Sequence, residues 1–232
     1  MQTSEEMPLV LALTGASGAI YAVRLLQQLC EAGIQVHLII SPSGATVIQQ
    51  ELGLSLDTRH DGMDALLSYH CPLDSKRWPV RNAIQIDASK RLVRLHDHQD
   101  FMAPIASGSF LTRGMVICPC SGSTMSGVVH AASNNLIQRA ADVHLKEHRK
   151  LVLVPRETPL SVFQLENMHR AAQAGAIVMP AMPGWYHGVQ SVVDLVDFMV
   201  ARILDHLGVS HHLMHRWGEQ PHVLSGSEAE HE

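Results

Sequence analysis

Short apolar runs alternate with segments of helical periodicity along most of this chain. The runs at residues 9–14, 36–40, 115–118, 151–154 and 176–179 have the length and composition of buried parallel strands. Because strands and helices alternate without an internal repeat, the helices are expected on both faces of one sheet. The pattern predicts an α/β fold with a three-layer, doubly wound parallel sheet of the Rossmann or flavodoxin-like kind.

Apolar residues recur at helical spacing in four longer segments, at residues 20–31, 134–147, 161–174 and 189–207. Gly33 follows the first segment and is expected to end its helix. The last segment carries a wide apolar stripe at three- and four-residue spacing. This stripe predicts a helix with one face on the core.

Both patterns loosen at residues 56–100, where only 83–86 and 91–95 look extended. We interpret this stretch as an elaborated connection, with a short hairpin or lid, inside a single domain of residues 9–208. Two further segments flank the domain: a flexible N-terminus of residues 1–8 and a partly disordered C-terminal extension of residues 209–232.

Composition narrows the class of protein. With 232 residues, 46% hydrophobic and 17% charged, the chain is long enough for one large domain with a full core. Its formal net charge of -5 gives no reason to expect nucleic acid or an anionic membrane as a partner. Four cysteines without even spacing, and the absence of a secretory leader, predict a cytoplasmic protein.

Two sets of potential metal ligands occur in the chain. His211, His212 and His215 fall in a polar tail, where such clusters are usually solvated. Cys118 and Cys120 form one C-x-C pair without a second, which is too few ligands for a zinc site. Packing at a strand end explains this pair better, and we expect no metal centre.

A glycine turn, Gly15-Ala16-Ser17-Gly18, lies between the first strand and the first helix. We expect its backbone N–H groups to be free to hold an anion at the positive end of the helix. The full G-x-G-x-x-G fingerprint is absent and no acid closes the second strand, which weakens an NAD site. A mononucleotide such as FMN and a turn without any ligand both remain open.

A second loop, after the strand that ends at Cys118, is rich in hydroxyl groups. Ser121, Ser123 and Thr124 precede a predicted helix there, where they can bind phosphate or the edge of a flavin. Ligands of open α/β sheets collect outside the carboxyl ends of the strands, so this loop and the glycine turn belong to one candidate site.

Arg156 and Glu157 directly follow the apolar run at residues 151–154, which Pro155 ends. Charged residues at this edge of a sheet either contact a bound molecule or form an ordinary ion pair, and the stretch alone leaves both open. Further candidates would suit a phosphorylated substrate with an electron-poor carbon if they converge here: Arg139, Lys146, Tyr186 and Arg202. Taken singly, each cation is better explained as solvated helix surface and the aromatic residue as core packing.

Eight motifs in register resemble one family. They are TGASGAIY (14–21), HLIIS (37–41), ASGSF (106–110), NLIQRAADVHLKE (135–147), LVLVPRETPL (151–160), ENM (166–168), WYH (185–187) and the helix of Arg202. Over residues 8–217 the chain resembles the UbiX-type flavin prenyltransferases. The resemblance implies metal-independent transfer of a dimethylallyl group from dimethylallyl phosphate to reduced FMN, which gains a fourth ring.

The resemblance also implies partners and residue roles. The prenylated FMN would serve a UbiD-type decarboxylase, and the enzyme would be a homo-oligomer, typically a dodecamer, with sites that cross subunit boundaries. The implied FMN contacts are Gly15, Ala16, Ser17, Ser41, Ser121, Gly122, Ser123, Thr124 and Arg156. Tyr186 and Arg202 would bind dimethylallyl phosphate with help from Arg139 and Lys146, and Trp217 would pack over the prenyl group.

Three residues are the expected catalytic groups of this family resemblance. Glu157 would handle the proton when the flavin ring closes, Ser17 would assist departure of the phosphate, and Lys146 would neutralise it. The chain departs from the family at residues 56–100, which are longer than usual, at Ser123, where many members have lysine, and at Trp185, where many have phenylalanine. The longer stretch bears on the substrate mouth or the subunit contacts, whereas neither Ser123 nor Trp185 removes a reacting group.

Two other functions stay open. One is an FMN-dependent decarboxylase of the cysteine-decarboxylase superfamily. Its signature would be a catalytic histidine early in the chain and a cysteine-containing flap, and the RET and YH motifs of this chain argue against it. The other is a non-catalytic flavin carrier. A preference for the monophosphate over the diphosphate is also open, although a site with few cations favours the smaller anion.

Overall fold

The computed structural model describes residues 7–56 and 62–214. One parallel sheet has the strand order β3-β2-β1-β4-β5-β6. Its strands are β1 Leu9–Leu13, β2 Val36–Ile40, β3 Val93–His96, β4 Gly114–Cys120, β5 Leu151–Pro155 and β6 Ile177–Val178. This is the strand order of the Rossmann fold, and the predicted fold class is confirmed.

Helices cover both faces of the sheet. They are α1 Ala19–Glu31, α2 Pro42–Leu52, α3 Gly62–Ser68, α4 Ala83–Lys90, α5 Gly122–Val129, α6 Leu136–Lys146, α7 Val162–Gln173 and α8 Val192–Leu207, with a 3-10 turn at Pro104–Ala106. Apolar side chains of α1 and α8 pack on one face, and those of α5 and α6 pack on the other. In the described parts of the chain, no helix has the length and hydropathy needed to cross a membrane.

Strand β5 shows why the central strands are continuous apolar runs. Successive side chains of a strand point to opposite faces. Val152 and Val154 accordingly enter the core beneath α1 and α8, while Leu151 and Leu153 enter the core beneath α5 and α6. A strand buried on both faces has no polar position to alternate with.

Hydroxyl groups begin the helices that follow β2 and β4. The Ser41 hydroxyl accepts the Gly44 N–H of α2 at 3.0 Å, and the Ser121 hydroxyl accepts the Thr124 N–H of α5 at 3.3 Å. Each cap comes directly after a parallel strand. The positive ends of both helices therefore face the carboxyl edge of the sheet.

The prediction that residues 83–86 are extended is wrong, because they begin α4. The Asn82 side chain accepts the Gln85 N–H at 2.9 Å, and the Gln85 side chain accepts the Asn82 N–H at 3.0 Å. This reciprocal pair is a capping box, which the Asn-x-x-Gln spacing signals in the sequence. The predicted hairpin is also wrong, since β3 pairs with β2 in parallel.

The described part of the long connection packs onto α1. Trp78 is 1% exposed, and its indole N–H donates to Gln27 Oε1 at 2.7 Å. Its ring meets Tyr69 edge-on at 5.4 Å and lies under the Arg24 guanidinium at 4.9 Å. This stretch of the connection, with Trp78 in the main core, is thus a structural part of the domain.

Replacing Trp78 with alanine should destabilise the protein by about 3–5 kcal/mol, because a large buried aromatic leaves a cavity. The midpoint of urea unfolding measures this loss. Val80→Ala is the matched control, since Val80 lies two residues away and is 64% exposed. An unchanged midpoint for Trp78→Ala would show that the connection does not contribute to the core.

A buried histidine pair joins β2 to β3. His37 Nδ1 lies 2.8 Å from His96 Nε2, and the two rings stack at 4.9 Å. Burial, together with the smaller effects of the charges of His96 and Arg94, lowers the pKa of His37 to about 4. Burial lowers the pKa of His96 as well. The folded state therefore favours the neutral form of both rings.

Stability should fall as the pH drops from about 6.5 to about 4. In this window an unfolded histidine takes up a proton, whereas folded His37 does not, so acid favours the unfolded chain. The measurement is the urea midpoint at about pH 7.5 and about pH 5. His37→Asn keeps a hydrogen-bonding group that does not titrate, so this variant should lose less stability in acid than the wild type. An equal loss would show that His37 is not the source of the pH dependence.

Candidate active site

The strand order reverses between β1 and β4, and the carboxyl ends of these two strands border a crevice. Thr14, which follows β1, ties the two ends together. Its hydroxyl donates to the Pro119 carbonyl at 2.8 Å and accepts the Ser121 N–H at 2.8 Å. The glycine turn and the hydroxyl loop predicted from the sequence therefore lie side by side.

Glycine is required at two positions of the first loop. A Cβ atom at Gly15 would come within 2.6 Å of Cβ and Oγ of Ser43, so the loop can approach the start of α2 only without a side chain there. Gly18 has φ +114, a conformation that side chains disfavour. The close approach brings the loop next to Ser41, as the candidate site needs.

The N–H groups at the end of the glycine turn are not free, which corrects the prediction. Gly18 N–H donates to Glu51 Oε2 at 2.9 Å, and Ala19 N–H donates to the same oxygen at 2.9 Å. Glu51 lies in the last turns of α2. A carboxylate thus satisfies the positive end of α1. No local pattern signals this contact, because its partners lie more than thirty residues apart in the chain.

The second loop is held by its own hydroxyl groups. The Ser121 hydroxyl lies 3.2 Å from the Ser123 hydroxyl and donates to Thr124 Oγ1 at 3.0 Å. Ser123 is exposed, while Ser121 and Thr124 are half-buried. Polar groups of this loop therefore line the crevice beside the positive end of α5.

Arg156 and Glu157 turn to different neighbours. Arg156 Nε donates to the Ser17 carbonyl at 3.3 Å, which joins the end of β5 to the glycine turn. Glu157 Oε1 accepts the Thr158 N–H at 3.1 Å, and its Oε2 accepts from Gln164 Nε2 of α7 at 3.3 Å. Within the described chain no ion pair joins Arg156 to Glu157. The simple ion-pair interpretation is therefore excluded.

The segment 180–182 separates this cluster from a second pocket. Pro180 and Met182 close the small pocket of Arg156 and Glu157. They also border a neighbouring cavity of about 220 Å³ lined by Arg202.

Tyr186 and Arg202 flank the same ring of α8. The Tyr186 ring meets the Phe198 ring edge-on at 5.8 Å, and Arg202 follows Phe198 by four residues, on the same helix face. Arg202 forms an ion pair with Asp205 at 3.2 Å. The two predicted substrate ligands therefore occupy one region next to the strand-end cluster.

Two predicted substrate ligands lie elsewhere in this chain. Arg139 of α6 donates to the Ala106 carbonyl at 3.0 Å and pairs with Asp142 at 3.1 Å. Lys146, at the end of α6, pairs with Glu147 at 3.5 Å. No described contact connects either side chain to the end of β5. Trp217, the predicted aromatic cover, lies outside the residues that the structure describes, as does His215.

The crevice also contains residues that were not predicted as functional candidates. Tyr21 of α1 contacts the glycine turn. Burial raises the pKa of Tyr21, and the charges of Cys118 and Glu51 raise it further, while the charge of Arg156 opposes them. Burial also raises the pKa of both thiols of the C-x-C pair, that of Cys120 to about 12, and both are buried, in line with packing. Among residues 7–56 and 62–214, no group of three or more His, Cys, Asp or Glu side chains is placed to hold a metal ion.

Residues 1–204 match the Flavoprotein family. Flavin prenyltransferase UbiX of Pseudomonas aeruginosa is 46% identical to this chain over 217 residues, which cover 94% of this chain and 96% of that protein. The chain belongs to the UbiX family of flavin prenyltransferases.

Solved UbiX-type structures share this fold. AnUbiX (PadA1), determined in complex with FMN and dimethylallyl pyrophosphate, is 33% identical with a TM-score of 0.74, covering 93% of this chain and 100% of that one. A dodecameric FMN-dependent UbiX-like decarboxylase from Escherichia coli O157:H7 is 38% identical with a TM-score of 0.70, covering 88% of this chain and 97% of that one. The likeness therefore extends over nearly the whole domain.

Gly15→Ala should destabilise the protein by about 1–3 kcal/mol, because the new Cβ overlaps the Ser43 side chain. The double variant Gly15→Ala, Ser43→Gly removes the overlapping atoms and should regain most of the lost stability. The small cost of Ser43→Gly itself, a glycine within α2, should remain. Thermal unfolding of the four proteins measures the coupling. A double variant as unstable as Gly15→Ala would contradict the close contact.

Proposed function

We propose that this chain is a flavin prenyltransferase that moves a dimethylallyl group from dimethylallyl phosphate to reduced FMN. The observation that carries the proposal is the bond from Arg156 Nε to the Ser17 carbonyl, in a chain 46% identical to a flavin prenyltransferase. It brings the charged end of β5 to the glycine turn. The AnUbiX complex supports the same pair of ligand classes.

The crevice suits FMN. Hydroxyl groups of the second loop and the start of α2 offer donors and acceptors, and Nη1 and Nη2 of Arg156 make no hydrogen bond to any described residue. The proposed contacts are Gly15, Ala16, Ser17, Ser41, Ser121, Gly122, Ser123, Thr124 and Arg156. Bound there, the reduced flavin supplies an electron-rich nitrogen as acceptor of the dimethylallyl group.

Tyr186 and Arg202 are proposed to hold the phosphate of the donor. The Tyr186 hydroxyl can donate a hydrogen bond, and the Arg202 guanidinium offsets the charge that develops on the departing phosphate. Ser17, half-buried in the glycine turn, is proposed to assist this departure. The apolar walls of the neighbouring cavity, Met182 and Phe198, suit the dimethylallyl group.

Glu157 is proposed to carry the proton of the ring-closing step. Its carboxylate is exposed at the end of β5 and is oriented by one backbone N–H and by the Gln164 amide. A carboxylate held in this way can accept a proton from the flavin and release it again. Because Arg156 does not pair with it, Glu157 is available for this role.

Arg139 and Lys146 are proposed to act in the site of a neighbouring subunit. Their side chains are 35% and 49% exposed on α6 and make no described contact with the strand-end cluster of their own chain. Trp185 and Tyr186 are 70% and 62% exposed, which is unusual for aromatic side chains and favours cover by another copy. We propose a homo-oligomer, and a dodecamer like that named for the Escherichia coli protein.

A modified flavin is useful only to an enzyme that binds it. We propose that a UbiD-type decarboxylase takes the product, and that the transfer occurs in the cytoplasm. The free thiols of Cys30, Cys71, Cys118 and Cys120 agree with a reducing compartment. We also propose the domain division given above, with one flavoprotein domain at residues 9–208.

The function is tested by anaerobic incubation of the protein with FMN, dithionite and dimethylallyl phosphate, with the pyrophosphate in a parallel reaction. Mass measurement of the released flavin should show the gain of one dimethylallyl group. A flavin carrier would release FMN of unchanged mass. An FMN-dependent decarboxylase would also leave the flavin unchanged, so either result would overturn the proposal.

Glu157→Gln should bind FMN as tightly as the wild type but stall before ring closure, because the amide cannot accept the proton. Chromatography with mass detection should then show little of the wild-type product, with product formation slowed about 10²–10⁴-fold. Glu166→Gln is the matched control, as Glu166 is an exposed glutamate of α7 that pairs with Arg170. Wild-type product at the wild-type rate from Glu157→Gln would remove Glu157 from this role.

A further inference from the structure

The part of the long connection around Trp78 is anchored to the core. We call residues 74–78 the anchor segment. The Trp78 indole N–H donates to Gln27 of α1 at 2.7 Å, and Gln27 in turn donates to the carbonyls of Leu66 and Tyr69 at 3.0 and 2.9 Å. A buried, fully hydrogen-bonded tryptophan cannot shift without breaking these contacts. The neighbouring residues of the anchor segment therefore have a fixed position.

Arg77, next to Trp78, reaches from the anchor segment to the start of α8. Its Nη1 pairs at short range with the Asp194 carboxylate, and its Nη2 donates to Gln190 Oε1 at 2.8 Å. Its Nε lies 3.7 Å from Asp74, within the anchor segment. The guanidinium thus engages two residues of α8 and its preceding loop at once.

Asp194 closes the loop that precedes α8. Its Oδ2 accepts the Gln190 N–H at 2.8 Å and the Ser191 N–H at 2.9 Å. Partial burial raises the pKa of Asp194, but these N–H groups and the Arg77 guanidinium outweigh burial and lower it. The carboxylate is therefore ionised while it holds Arg77 on one side and the backbone of the loop on the other.

The same loop carries Tyr186. His187 stacks on Phe198 of α8 at 5.1 Å, and its Nε2 lies 3.3 Å from the Asp194 carbonyl. The Tyr186 ring meets both the His187 ring, at 5.9 Å, and the Phe198 ring, at 5.8 Å. A shift of residues 187–191 would therefore move the Tyr186 hydroxyl relative to Arg202.

We propose that Arg77 is a positioning residue for substrate binding: it fixes Asp194 and Gln190, and through them the loop that presents Tyr186. This inference rests on the proposed function, in which Tyr186 binds the phosphate of the dimethylallyl donor. Arg77 itself has no described contact with the strand-end cluster. It lies in the long connection of residues 56–100.

If the Arg77 ion pair served stability alone, its loss would lower the thermal midpoint and leave KM unchanged. Arg77 is 39% exposed, and exposed ion pairs contribute little to stability. Arg77→Ala should therefore leave the thermal midpoint nearly unchanged. Its effect should lie in the geometry of the loop, where a displacement of about 1 Å is enough to weaken a substrate contact.

The kinetic test compares wild type, Arg77→Ala and Arg77→Lys. Arg77→Ala should raise KM for dimethylallyl phosphate about tenfold with FMN affinity unchanged. Arg77→Lys should have a KM between those of the wild type and Arg77→Ala, since lysine can pair with Asp194 but has no second donor group to reach Gln190. Arg170→Ala, which removes an exposed ion pair on α7, is the matched control and should keep the wild-type KM.

A double-mutant cycle tests whether Arg77 acts through Tyr186. In a Tyr186→Phe background, Arg77→Ala should have little further effect on KM, because the group it positions is gone. If Arg77→Ala still raised KM about tenfold in the Tyr186→Phe background, the proposal would be overturned. A wild-type KM in Arg77→Ala, or an equal loss of FMN affinity, would also overturn it.

Hydrogen exchange of a peptide covering residues 183–192 gives a readout that needs no activity. Exchange should be faster in Arg77→Ala, since Arg77 no longer holds in place the Asp194 carboxylate that accepts the Gln190 and Ser191 N–H groups. It should be unchanged in Arg170→Ala. Unchanged exchange in Arg77→Ala would overturn the positioning role even in an active enzyme. If the wild type makes no prenylated flavin while exchange responds as expected, the proposed function fails and the link from Arg77 to the loop stands.

Discussion

The hydroxyl of Thr14 fixes the spacing of the two central strands at the point where both end. By donating to the Pro119 carbonyl and accepting the Ser121 N–H, it holds the turns after β1 and β4 next to each other. A serine would supply the same bonds with less restriction of its rotamer. The glycine turn, the hydroxyl loop and the end of β5 can form one site only because this junction closes.

The sequence predicted several elements well, because a strand buried on both faces leaves a continuous apolar run and a helix with one buried face leaves a periodic one. β2 was predicted at the residues where it occurs, and α1, α6 and α7 within two residues at each end. The exposed helix α4 was missed, since its side chains carry little periodicity and its start depends on the Asn82–Gln85 capping box. The burial of Trp78 was also missed, because it depends on a contact with Gln27, fifty-one residues away in the chain.

The candidate site was predicted in its chemistry more than in its contacts. Residue types at strand ends pointed to Arg156, Glu157 and the two loops, because parallel strands end at a common edge. Two contacts followed from tertiary packing alone: Glu51 at the start of α1, and the division of Arg156 and Glu157 between different neighbours.

Glu51 gives the glycine turn a competitor that is part of the chain. Any anion that approaches the N–H groups of Gly18 and Ala19 meets a carboxylate already bound there at 2.9 Å. Because this carboxylate belongs to the chain itself, a free anion must compete with an intramolecular contact. The turn thereby discriminates by strength: only a ligand with additional anchors in the crevice gains enough to compete for these two N–H groups.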